Sequence, residues 1–305
     1  MTGITRRRAL FIGAAAAATG LAPAARAPEA RWHGQALGAH AEIRFRHLSQ
    51  AEARPLFAAI EIELARLEGI FSLYRTDSAL ARLNRDGVLE MPPPELVELL
   101  GLARGVHAGS DGLFDPTVQP LFDLYAKAAT GGQPVVPEAL HDGLARVGMD
   151  RVSVTGSVIR LGRPGMALTL NGIAQGHVTD RIAALLKAHG LTDVIVDIGE
   201  ILATGTAGDG PGWAVRIAGV QGKRRLCDRG LATSAPLGTP LDRAGRIGHI
   251  LHPARGWVAP VQRQVSVLAD SAALADALST AAALMPDRQL ATLRARGFEV
   301  VALPV

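Results

Sequence analysis

Apolar and polar residues alternate through Ala41, Ile43 and Phe45, which predicts a strand within residues 36–47. Ser49 and Glu52 have the spacing of a capping box, and they open a predicted helix with Leu56, Ile60, Leu64 and Leu67 on one face. A loop containing Ser72 and Tyr74 follows, then a short helix from Ser78 to Asn84. Pro92-Pro93-Pro94 leads into a helix running to about His107, because proline is tolerated in a first helical turn. Gly109-Ser110-Asp111-Gly112 reads as a turn, and Phe114-Asp115-Pro116-Thr117 as the start of another structured segment.

Short β-rich runs come next, at Val152–Val154, Val158–Leu161 and Ala167–Leu170. Gly172-Ile173-Ala174-Gln175-Gly176 precedes a helix that stops at His189-Gly190. Val194–Ile198 is a buried-type strand, 205–212 a glycine-rich loop, and Trp213–Ala218 and Val265–Leu268 further strands. Ser271 caps a long Ala-rich helix to Met285, which Pro286 ends; a last helix and the strand Glu299–Leu303 complete the chain. Strands and helices mix without a regular βαβ rhythm, which predicts an α+β fold in a single domain.

Composition refines this picture at one place, the N-terminus. Of 305 residues 48% are hydrophobic and 20% charged, ordinary for a globular protein and too apolar for disorder. The formal charge of +4 suggests an acidic partner until its location is considered. Residues 1–27 contain Arg6, Arg7, Arg8 and Arg26 and no acid, so the remainder carries 28 basic and 28 acidic side chains. Nucleic-acid binding thereby loses its main support. Arg6-Arg7-Arg8 before the apolar run Ala9–Leu21, with small residues around Ala24 and Ala27, predicts a twin-arginine export signal cleaved after one of those alanines. The run is too short to span a bilayer securely, so residues 28–305 are expected in the periplasm and not as an integral membrane protein. Cys227 is the sole cysteine, so no intrachain disulfide forms and stability must come from the core.

No Gly-x-Ser-x-Gly elbow, Walker loop or Gly-x-Gly-x-x-Gly fingerprint is present. Asp276 and Thr280 lie four apart on a predicted helix and point the same way. Such an oxygen pair is either simply solvated or part of a hard-cation site of the kind Mg²⁺ uses when substrate phosphate supplies the other ligands. His249 and His252 are structural histidines or a functional pair, and Tyr74 is a packing aromatic or a stacking surface.

Several blocks taken in order resemble the ApbE family of flavin transferases. They are Ser72-Leu73-Tyr74 with Ser78 and Leu83-Asn84; Gly112-Leu113-Phe114-Asp115-Pro116-Thr117; Gly172-Ile173-Ala174-Gln175-Gly176 with Asp180 heading the next helix; Asp197-Ile198-Gly199-Glu200; Ala232-Thr233-Ser234; His249-Ile250 with Pro253 and Gly256; and Ala275-Asp276-Ala277-Leu278-Ser279-Thr280. Departures from the family pattern are Ala235 where it has Gly, His252 where it has Asp, Ala254-Arg255-Gly256 for Arg-Thr-Gly, a single glycine at Gly199 where many relatives have two, and His177 where an aromatic is common.

The resemblance implies an ApbE-like fold and a Mg²⁺-dependent transfer of FMN from FAD to a Ser or Thr hydroxyl of a target protein, releasing AMP. It implies Mg²⁺ held by the side chains of Asp276 and Thr280 and the carbonyl of Ala174, and His249 as the base. It implies a FAD-binding set of Tyr74, Asp115, Thr117, Ala174, Gln175, Asp180, Thr233 and Ser234, with Tyr74 stacked on the isoalloxazine ring. The implied acceptor is an FMN-binding domain of a membrane redox complex. Two alternatives stand beside it: an FAD pyrophosphatase giving FMN and AMP, and a non-catalytic FAD-binding assembly factor.

Overall fold

A computed structural model describes residues 28–208 and 210–305; the predicted export signal lies outside them. The chain opens with a hairpin, β1 (Glu29–Ala36) and β2 (Ala39–Arg46), then α1 (Arg54–Phe71), α2 (Ala79–Asp86), β3 (Val88–Glu90), α3 (Pro94–Gly109), α4 (Gln119–Gly131) and α5 (Pro137–Leu144). The middle holds β4 (Val152–Val154), β5 (Val158–Leu161), α6 (Ala174–Ala188), β6 (Val194–Asp197), β7 (Ile201–Thr204), β8 (Trp213–Val215), β9 (Arg224–Leu226) and β10 (Arg229–Ser234). The end is β11 (Gln262–Ala269), α7 (Ala272–Ala282), α8 (Asp287–Ala295) and β12 (Glu299–Pro304).

The α+β expectation holds. A seven-stranded sheet runs β1-β2-β6-β7-β10-β11-β12, and each of its neighbouring pairs is antiparallel. Helices α1, α6 and α7 pack on one face, burying Ile43, Phe45, Ile60, Leu67, Val196 and Val267 in the main core. The other face is partly covered by the β8–β9 hairpin, where Trp213, Val215 and Leu226 bury Ile195, Ala203 and Leu231. Arg44 and Arg46 lie over the Trp213 ring at 5.6 and 5.5 Å, a cation–π pair that closes the rim of this second core. Among the described residues no helix is long and apolar enough to cross a membrane.

Three expectations need correction. The Ser49–Glu52 box does form, with the Ser49 N–H donating to the Glu52 carboxylate at 2.9 Å, but it closes a turn, and α1 begins only at Arg54 behind Ala53. Residues 167–170 are not a strand: Leu168 pairs instead with the Asn84 side chain, which donates to its carbonyl at 2.8 Å and accepts its N–H at 2.7 Å. A side-chain amide thus does there what a neighbouring strand would do. Asp180 does not head its helix, since α6 starts at Ala174 inside the glycine motif.

Candidate functional site

A cleft opens where the C-terminal end of β10, α7, the start of α6 and the loops around Tyr74, Glu200 and His249 meet. Helix α7 packs on β10 and β11 and carries Asp276 and Thr280 into the cleft wall. Opposite them, the Ser234 hydroxyl at the end of β10 lies 2.8 Å from Ser279 Oγ and 3.4 Å from Thr280 Oγ1. Thr233 lies beside it, its hydroxyl 2.8 Å from Ser266 Oγ and its N–H donating to Glu200 Oε2 at 3.2 Å.

Glu200 sits after Gly199 in the β6–β7 turn and is a site residue that the sequence motif contained without its role being read. It is only 6% exposed, and Asp276 only 3%. Burial pushes the Glu200 carboxyl well above the usual carboxylate range, and the nearby Asp276 charge adds to this. Burial likewise raises Asp276, helped by Asp180 and opposed by the Gly176 N–H that donates to Asp276 Oδ2 at 3.2 Å. Two buried carboxyls close together, with no basic partner among the described residues, form a site that is short of positive charge.

The donor set fits a hard cation. Asp276 and Thr280 offer a carboxylate and a hydroxyl one helical turn apart, and the Ala174 carbonyl stands at the first residue of α6. Gly172 lies so close to Thr280 that a Cβ there would come within 2.8 Å of Oγ1, leaving room for glycine alone beside the donor. No group of three or more His, Cys, Asp and Glu side chains gathers as a metal cage among the described residues, so phosphate or backbone oxygens would have to complete a coordination shell.

His249 lines the same cleft, and its Nδ1 is buried with no hydrogen-bond partner among the described residues. Burial lowers its pKa, against a smaller opposing effect of the Thr239 backbone, so the imidazole is neutral near pH 7 and able to accept a proton. Tyr74 is 76% exposed and stands between this cleft and an adjoining cavity lined by Glu68, Phe71, Ala174 and Gln175. Its loop is held by Ser72, whose Oγ accepts the Tyr74 N–H at 3.1 Å, while Ser78 donates to the Ser72 carbonyl at 2.5 Å. The two serines of the motif therefore fix the loop and leave the aromatic face free.

The other expected FAD-binding residues divide between the cavity linings and the backbone behind them. Asp115 reaches the cleft wall, but its oxygens accept from the Thr117 N–H at 2.8 Å, the Thr117 hydroxyl at 2.5 Å and the Met149 N–H at 3.2 Å. Thr117 is fully buried and its Oγ1 accepts the Gly148 N–H at 2.7 Å, so this pair ties the wall together from behind. Ala174 lines the adjoining cavity, and Gln175 borders both. Asp180 lies outside both linings: its carboxylate accepts the N–H groups of Ala272 and Ala273, at 2.7 and 2.9 Å, at the start of α7.

Three of the departures have local explanations. His252 Nδ1 accepts the Ala254 N–H at 3.1 Å, the bond an aspartate would make two residues on, and the turn to Gly256 is closed by paired backbone bonds of 2.8 Å. His177 packs edge-on against Phe71, with ring centroids 5.3 Å apart at 83°, and so fills an aromatic's place. Ala235 is not among the non-glycine residues with positive φ, so glycine is not required there.

The family model described as "ApbE family" matches residues 37–302. A Treponema pallidum protein named "FAD:protein FMN transferase" is 30% identical over 268 residues, covering 78% of this chain and 74% of its own. A Klebsiella pneumoniae protein of the same name is 25% identical over 289 residues, covering 88% of this chain and 82% of its own. Among solved structures, the flavinyl transferase ApbE of Pseudomonas stutzeri in its apo form superposes with a TM-score of 0.80 at 28% identity, covering 91% of both chains.

Proposed function

This chain belongs to the ApbE family, and we propose on that basis that it is a flavin transferase that moves FMN from FAD to a Ser or Thr hydroxyl of an acceptor protein, releasing AMP. The observation that carries this reading is the meeting of Asp276, Thr280, Ser234, Glu200, His249 and Tyr74 around one cleft.

Tyr74 offers an exposed ring at the cleft edge on which a flat isoalloxazine can stack. Asp276, Thr280 and the Ala174 carbonyl would hold Mg²⁺, which when bound offsets the negative charge of the pyrophosphate oxygens. Ser234 steadies Thr280 through its hydroxyl, and Thr233 is anchored to Glu200 through its backbone. His249 accepts the proton of the acceptor hydroxyl as that oxygen bonds to the FMN-side phosphorus. The bond from this phosphorus to the bridging oxygen then breaks, and its electron pair departs on AMP. The buried carboxyls of Asp276 and Glu200 support the cation assignment, since a divalent ion supplies the positive charge their surroundings lack.

The proposed acceptor is an FMN-binding domain of a membrane redox complex. We also propose that residues 1–27 direct twin-arginine export and that the enzyme acts in the periplasm. The reading is tested by measuring AMP release from FAD with and without acceptor protein, each with Mg²⁺ and with EDTA. Release that requires both acceptor and Mg²⁺ is expected. Equal release with FAD alone indicates a pyrophosphatase, and no release under any condition indicates a binding protein.

A further inference from the structure

We infer that Asp180 is a positioning residue that sets the cation site by locking the start of α7 to α6. This deepens the proposed function and rests on its cation site.

Helix α7 presents four N–H groups at its start that have no partner within the helix. Ser271 serves two of them from α7's own flank: its Oγ accepts the Leu274 N–H at 3.2 Å and its carbonyl the Ala275 N–H at 3.1 Å. The first two, Ala272 and Ala273, donate instead to Asp180 Oδ1 and Oδ2, at 2.7 and 2.9 Å. Asp180 lies on α6, more than ninety residues earlier in the chain. An ordinary cap such as Ser271 stops fraying, whereas a bidentate carboxylate from a neighbouring helix fixes where the helix starts and how it is rotated.

The same two helices meet again one turn away. Gly176, in the first turn of α6, donates its N–H to Asp276 Oδ2 at 3.2 Å. The helices are so close there that a Cβ on Gly176 would lie 2.3 Å from the Ala272 carbonyl oxygen. Asp180 and Gly176 thus hold α7 at two heights, and between them they fix Asp276 and Thr280 relative to Ala174 at the head of α6. Asp180 borders neither cavity, so its effect on the site passes through α7. Its burial raises its carboxyl to about 6, against the two N–H bonds, so near neutral pH it remains largely ionised and matched to the positive end of the helix.

The test measures Mn²⁺ binding to the full chain by electron paramagnetic resonance, alongside thermal unfolding, for the wild type, Asp180→Ala, Asp180→Asn and Ser271→Ala. Misplacing an outer support of a metal site typically weakens binding by about 10- to 100-fold. Asp180→Ala is expected to bind Mn²⁺ at least about tenfold more weakly, and Asp180→Asn, which retains one acceptor oxygen, to fall between it and the wild type. Ser271→Ala is expected to lower the unfolding midpoint while keeping wild-type Mn²⁺ affinity. If Asp180→Ala does not fold, Asp180→Asn carries the comparison. Wild-type affinity in the Asp180 variants, or an equal loss in Ser271→Ala, overturns the inference. A wild type that binds no Mn²⁺ overturns the cation site itself.

Discussion

The backbone N–H of Gly176 donates to Asp276 Oδ2 at 3.2 Å, joining residues 100 positions apart. This bond links the opening turn of α6 to the acidic residue of α7, and it needs glycine because the Ala272 carbonyl occupies the space a Cβ would take. Gly176→Ala should therefore push the helices apart. Overpacking of this kind costs about 1–3 kcal/mol. Urea unfolding should show a lower midpoint with an unchanged slope, and transfer activity should fall with it.

Asn84 makes two bonds to the backbone of Leu168 in place of a strand partner. Asn84→Ala removes both and leaves a buried segment unpaired, at a cost of about 1–3 kcal/mol. Asn84→Asp keeps the acceptor but not the donor and should lie between. Chemical denaturation of the two variants checks the order.

The pH dependence has opposite signs for the histidine and the acids. His249 must be neutral to act, and burial lowers its pKa below the ordinary 6.5. Activity should therefore persist below pH 6.5 and fall only as pH drops through the lowered value. The acidic limb of the kcat/KM profile reads this directly, and a limb at or above pH 6.5 would count against His249 as the base.

Glu200 and Asp276 have raised carboxyls in the folded chain, so the fold binds more protons than the unfolded chain does above their ordinary values of 4.5 and 3.8. Metal-free protein should lose stability as pH rises from about that range through the raised values. Added Mg²⁺ should restore it, with a larger thermal shift at pH 8 than at pH 5. A shift independent of pH would separate the ion from these carboxyls.

His252→Asp should leave stability nearly unchanged, because both side chains can accept the Ala254 N–H, whereas His252→Ala should lower it by about 1 kcal/mol. Thermal unfolding of the two variants distinguishes them.

Much of the architecture was legible in the pattern of apolar residues. The helices with one buried face, the strand around Ile43 and the Ser271 cap all stand near their expected positions. Sequence reading missed β1, α4 and α5 as well as several short strands. The strands β7, β9 and β10 have three to six residues each and gain their order from neighbours in the sheet, not from local periodicity. Leu168 read as a strand because its surroundings are apolar, yet its partner is a side chain distant in sequence. In the site, Asp276, Thr280, Ser234, His249 and Tyr74 do converge on one cleft. Asp180 and Thr117 carry the right chemistry for a ligand pocket, but their bonds go to the backbone that supports it. Glu200 was hidden by its place in a turn motif, and only its burial opposite Asp276 reveals its weight.

The most direct test is the intact mass of an FMN-binding acceptor domain after incubation with FAD, Mg²⁺ and either the wild type or Asp276→Asn. The wild type should add the mass of FMN less one water to a single Ser or Thr, and Asp276→Asn should reduce the rate by about 100-fold or more. An acceptor left unmodified by the wild type while FMN and AMP accumulate, or modified at full rate by Asp276→Asn, would contradict the account.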